Sequence, residues 1–413
     1  MSHSRFLPAF ALICLGMGAL SGCGGGSKVV NEPAELQSLD DQQLEVDTIW
    51  TTDTGDGAGD YVTGYSMAFD GRHLYTASRD GVVVALDRES GERVWRAKTG
   101  TRVISGPAVG DNEVIVGTRD GQILALSSED GSELWRADTS GEVLAPPAIG
   151  EGRVVAYSQD GRLAGFELAT GDRRWTTQRS VPPLTLRGNA SPVIYRDMVI
   201  AGMDNGRVIA LDLVNGELRW EQRVAAPSGR SELERAVDID AELLLVEDEL
   251  YAGSQGGSLA SLATSTGRVR WKRDINTRSG FAFDRNQVFT TDVVSTVWGM
   301  DRDSGAVTWQ NDTLAYRNLS APAMWKGYVV VGDYEGYLHW LIPEDGTVVA
   351  RSRPLGDAIR IAPVVLNGRI YVLSSEGDVA AVEASFPERE VDRDASKDES
   401  EIDYGSEFEL EPF

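Results

Sequence analysis

The sequence predicts an all-β fold: an eight-bladed β-propeller of four-stranded antiparallel blades, closed by an N-terminal strand that joins the C-terminal strands. Three observations carry this. A template of apolar run, Gly-containing turn, apolar run, second Gly turn and Trp-bearing strand recurs along the chain, as in "LYTASRDGVVVALDRESGERVWRAKT" (74–99) and "VIVGTRDGQILALSSEDGSELWRADT" (114–139). Its tryptophans, Trp95, Trp135, Trp175, Trp220, Trp271 and Trp309, are spaced 40, 40, 45, 51 and 38 residues apart. Four short strands in about 40–45 residues make one propeller blade. The two ends of the array are complementary. "LEVDTIWTT" (44–52) has Trp50 without three strands before it, and "IAPVVLNGRIYVLSSEGDVAAVEA" (361–384) has three strands without a fourth.

The chain opens on an export signal, residues 1–22. Arg5 gives a positive start, and Phe6 to Leu20 is an apolar run too short for a bilayer span of about 20 residues. Leu20, Ser21, Gly22 and Cys23 resemble a bacterial lipobox, in which the cysteine is acylated and becomes the N-terminus. Cys23 is therefore the expected lipidation site, and residues 23–43 the lipidated tether, with Gly24, Gly25, Gly26 and Ser27 for flexibility. Gly24 after the cysteine, where inner-membrane lipoproteins tend to have Asp, points to the outer membrane. The second cysteine, Cys14, leaves with the signal. The folded part then holds no thiol and depends on its core alone.

The propeller spans 44–384. The pairs Asp80-Gly81, Asp120-Gly121, Asp160-Gly161, Asn205-Gly206 and Gly256-Gly257 separate β-branched, alternating runs and predict tight hairpins with φ > 0 at both central positions. Each Trp is expected to pack between neighbouring blades, its burial contributing at most about 5 kcal/mol. Val349 takes the Trp position of the seventh unit. Residues 385–413 form an acidic tail read as disordered. From Pro387 it carries 11 acids, 3 bases and little apolar content. The net charge of −25 offers no basic stripe and argues against nucleic acid as a partner.

Ala85, Asp87, Gly91 and Trp95, and again Ala210, Asp212, Gly216 and Trp220, fit an AxDxxxGxxxW pattern. It resembles the tryptophan-docking repeat of propellers related to pyrroloquinoline quinone enzymes. With the lipobox and eight blades, residues 23–384 resemble the BamB family of the outer-membrane β-barrel assembly machine. "PPLTLRGNASPV" (182–193) is similar to the family's Leu-x-Leu-Arg-Gly loop. The resemblance implies that Leu184, Leu186 and Arg187 contact BamA. "ELERAVDIDAE" (232–242) is similar to its Arg-x-x-Asp-x-Asp segment, which assigns Asp238 and Asp240, after Arg235, to the same surface. Ala241 and Glu242 depart from the family's Thr-Pro-like continuation.

The residues support the same stretches. The spacings of 45 and 51 place insertions after a Trp strand on neighbouring blades, so both loops leave one end of the ring. The resemblance implies a non-enzymatic scaffold without cofactor or metal, anchored at the periplasmic face of the outer membrane. It would dock on the BamA periplasmic domains beside other assembly subunits, and unfolded outer-membrane proteins could add to strand edges. Two other classes stay open: a propeller lipoprotein binding another protein or ligand, and a quinone-dependent dehydrogenase. Against the latter, there is no adjacent cysteine pair to stack the cofactor. His73 and His339 read as strand side chains, and "DRDSG" (301–305) and "DIDAE" (238–242) lack calcium-ligand spacing.

Overall fold

Alternating apolar runs separated by Gly turns give 32 strands in the computed structural model, which describes residues 31–59, 64–179, 190–227 and 237–387. The chain divides at Glu32, and the unit Pro33–Phe413 holds all the described strands. They form eight four-stranded antiparallel sheets. Blades 1 to 7 are β2–β5 (68–98), β6–β9 (108–138), β10–β13 (148–178), β14–β17 (193–223), β18–β21 (244–273), β22–β25 (281–311) and β26–β29 (323–352). Blade 8 is β30–β32 (364–385) closed by β1 (Glu45–Asp53), which pairs with β32 from Glu45↔Ser385 to Asp53↔Asp378. The eight-blade ring and its closure are as the sequence predicts.

The hairpins differ from expectation in turn type. At four of the five pairs only the glycine, not the residue before it, takes positive φ, as at Gly81 (+82°) and Gly161 (+82°); at Gly256-Gly257 both residues do, at +99° and +151°. Gly81 N donates to Ser78 O at 3.0 Å, and Ser78 pairs with Val82. Each such loop is thus three residues long. A type I turn followed by a left-handed Gly supplies the reversal that two residues would need a double positive φ to make.

The tryptophans dock between blades, and the glycines explain how. Gly131, Gly171, Gly216, Gly267, Gly305 and Gly346 sit at φ of +66° to +75° in the turn before the outermost strand. Any Cβ there would collide with the indole of the preceding blade's Trp. The same indole donates to the carbonyl three residues before that Gly: Trp95 to Ser128 at 2.8 Å, Trp175 to Leu213 at 3.0 Å, Trp271 to Arg302 at 2.6 Å. Val349 stands apart for a topological reason. Blade 8 takes its last two strands from opposite ends of the chain, so it has no such turn. Leu44, Trp325 and Val349 fill that joint instead, with Trp325 Nε1 donating to Gly368 O at 2.6 Å.

The segment before β1 does not hang free. Ala34 N donates to Ala315 O at 2.9 Å, and Gln43 N to Val349 O at 3.0 Å. Leu36 packs on the cluster that holds Leu314 and Leu319. Over 34–43 the expected tether is therefore a strap laid across blades 6 and 7.

Candidate partner surface at the channel mouth

Each blade's outermost strand connects to the next blade's innermost strand across one end of the ring. The longest of these connections are 54–67, 179–192 and 224–243. The sequence reading identifies the last two; the first lies between Trp50 and Trp95, an interval of 45 residues that the count from Trp95 onward leaves out. The connections line a cavity of about 380 Å³ at the channel mouth, bordered by Tyr65, Ser191, Asp240, Glu242, Arg278 and Arg360, among others.

A plug residue anchors several connections. Ile239 sits over Gly202, Val143 over Gly117 and Ile359 over Gly332, where any Cβ would be displaced by the plug side chain. Ile239 N donates to Met203 O at 3.3 Å, and Gln255 N to Asp238 O at 3.0 Å. With Ile239 fixed, its neighbours diverge. Asp238 is fully buried, and Asp240 borders the cavity. Arg278 and Arg360 directly follow Thr277 and Ile359, so they occupy the position of Asp240 in their own connections.

Carboxyls are crowded here. Asp204 is buried and accepts the Tyr157 hydroxyl at 3.2 Å. Burial, with the adjacent charge of Asp238, pushes it up to about 7. Burial raises Asp240 well above the usual carboxylate range, and the charges of Asp238 and Asp204 add to this; Arg278 opposes without prevailing. Glu242 borders the cavity with an exposed side chain set among protein groups. Burial raises it, against hydrogen bonds from Ser191. Those bonds run from Ser191 N and Oγ to the Glu242 carboxylate, both at 3.2 Å, and tie the two inserted connections together.

Asp238 and Asp240 are thus brought to one cluster, with Asp238 facing inward. Leu184, Leu186 and Arg187 (in 180–189), Arg235 (in 228–236) and Cys23 (in 1–30) lie outside the described residues. Sequence reading missed Asp204, Ser191 and Glu242. A signal for Asp204 existed: it takes the hairpin position that Arg79, Arg119 and Gln159 hold in other blades. Among the described residues, no group of three or more His, Cys, Asp or Glu has the arrangement of a metal site.

A family model described as outer membrane protein assembly factor BamB matches residues 46–132 and 79–311. The protein of that name from Pseudomonas aeruginosa is 46% identical over 371 residues, covering 90% of this chain and 97% of the relative. The crystal structure of BamB from Moraxella catarrhalis superposes with a TM-score of 0.75 at 26% identity, covering 82% of this chain and 100% of that one. Quinohemoprotein alcohol dehydrogenase from Comamonas testosteroni reaches a TM-score of 0.65 at 13% identity, covering 83% and 76%, and shares the fold alone.

Proposed function

The chain belongs to the BamB family of outer membrane protein assembly factors, and from that premise we propose that it is a lipid-anchored, non-catalytic scaffold that docks on BamA during outer-membrane barrel assembly. Acylation of Cys23 would hold it at the periplasmic face of the outer membrane, beside other assembly subunits. The docking surface is the pair of inserted connections at the channel mouth. One observation carries this: the Ser191–Glu242 hydrogen bonds join the ends of 179–192 and 224–243, two connections that are distant in sequence.

Within it, Leu184, Leu186 and Arg187 make the contact, and Asp240 borders it. Asp238 is a positioning residue, because a fully buried carboxylate cannot reach a partner. Interface energy concentrates in a few apolar and Arg anchors, each costing about 2 kcal/mol or more when truncated. Arg187→Ala is therefore expected to weaken binding to the BamA periplasmic domains roughly 30-fold, with unchanged melting. Asp238→Ala is expected to lower both melting and affinity. Titration of the purified mature chain with those domains checks it. Wild-type affinity in normally folded Arg187→Ala and Leu186→Ala variants would rule out this surface.

A further inference from the structure

We infer that the anchor hangs the ring mouth-first: the end that carries the connections faces the bilayer, and the opposite end faces away from it. This rests on the lipid anchor at Cys23 proposed above. The structural carrier is the strap. Arg317 Nη1 donates to Ala34 O at 3.0 Å, and Arg351 Nη1 donates to Gln37 O at 3.1 Å. Arg351 N donates to Gln42 Oε1 at 2.7 Å.

The two arginines are themselves held. Arg317 is 3% exposed and bonds Asp333 at 2.7 Å; Arg351 Nε donates to His339 Nδ1 at 3.3 Å, and His339 Nε2 donates to Asp333 at 3.0 Å. Unpairing a buried charge is costly, so the strap is stitched to a rigid base.

The first fixed residue lies at the mouth end. Ala34 bonds Ala315 and Arg317 on the blade 6–7 connection. That connection bonds the mouth-side hairpins of blades 6 and 7, through Tyr316 N to Val294 O at 2.8 Å and Tyr334 N to Arg317 O at 3.0 Å. The strap then runs away from the mouth toward Gln43 and β1. From Cys23 to Pro33 the chain can span at most about 35 Å. The lipid is therefore tethered by a short lead to the mouth end. The last strand, β32, runs the other way, from Asp378 beside the mouth hairpin to Ser385 at the far end. The acidic tail starts on the side away from the lipid.

The test uses single cysteines, because the mature chain has no thiol beyond Cys23. Asp357→Cys labels the mouth end, and Val214→Cys, at a 65% exposed turn residue, labels the far end. The purified lipoprotein is placed on phosphatidylethanolamine–phosphatidylglycerol vesicles that carry a headgroup energy acceptor. A parallel form with hexahistidine in place of residues 1–23 is bound to nickel-chelating lipid. Transfer from position 357 is expected to exceed that from 214 at least twofold in both forms. Ala34→Pro with Leu36→Asp, which releases the strap, should bring the two positions together. Equal or reversed transfer in the hexahistidine form overturns the inference. A native form that fails to bind vesicles, with asymmetric transfer in the hexahistidine form, overturns the Cys23 anchor and leaves the orientation standing.

Discussion

The joint between blades 3 and 4 and the joint between blades 8 and 1 use the same parts to different effect. At the first, Trp175 stacks on Gly216 and its indole N–H reaches Leu213 O. At the second, Trp50 stacks on Gly91, yet its buried indole N–H has no acceptor. The equivalent carbonyl, Arg88 O, accepts instead from the Tyr371 hydroxyl at 3.2 Å. The closing joint therefore keeps the stacking and lacks the directional bond. Thr52 Oγ1 still donates across it to Gly91 O at 2.7 Å, as Thr177 Oγ1 does to Gly216 O at the first joint. β1 closes blade 8 by pairing with β32, as β13 pairs with β12 inside blade 3, so both joints are held by side-chain docking and differ in the acceptor of the indole.

The largest break of this contrast is removal of 44–53. Blade 8 would lose its outer strand and expose a sheet edge, so we expect aggregation or loss of cooperative unfolding, read by size-exclusion chromatography and thermal melting. Trp175→Ala, at an intact joint, is expected to cost about 3–5 kcal/mol by cavity formation, checked by urea unfolding. The sharper version is Trp→Phe. At 175 it strands Leu213 O and should cost about 1 kcal/mol more than at 50, where no indole bond exists to lose.

A smaller effect separates the two sides of the molecule by pH. Burial lowers the pKa of His339, under the strap, and the charges of Arg351 and Arg317 assist while Asp333 opposes. The unfolded chain then binds the proton first, and this region loses stability as pH falls below the ordinary value of 6.5. Asp204, in the blade 4 hairpin and bonded to Tyr157 of blade 3, is raised to about 7. There the folded chain binds the proton first, and stability rises as pH falls from about 7 toward 3.8. Asp204→Asn should raise melting at pH 8 and steepen the acid loss between pH 6.5 and 5, measured as melting temperature against pH. Removing 388–413 should leave melting unchanged, the smallest effect of all.

The repeat made the ring, its blade count and its closure legible, because Trp, Gly and the apolar runs report strand period and docking directly. Turn type was not legible: Asp-Gly pairs occur in both two- and three-residue loops, and register with the flanking strands decides between them. At the mouth, spacing located two insertions, while the full burial of Asp238 was not legible, because it follows from the plug Ile239 seated over Gly202. The strap carried no pattern. Its hold on the ring comes mainly from main-chain bonds and from arginines 280 or more residues away, such as Arg317 on Ala34 (283 residues) and Arg351 on Gln37 (314 residues).

Closure by β1 also sets a clock. Thr54 Oγ1 donates to Gly377 O across 323 positions of sequence, so the strand that leaves the ribosome first finds its mate last. At synthesis rates of about 5–20 residues per second, the β1 edge waits roughly 15–60 s before β32 is even made. During that interval the Trp50 strand is an unsealed β-edge, and its acidic flanks (Glu45, Asp47 and Asp53) are the charges that keep such an edge from pairing with a stranger.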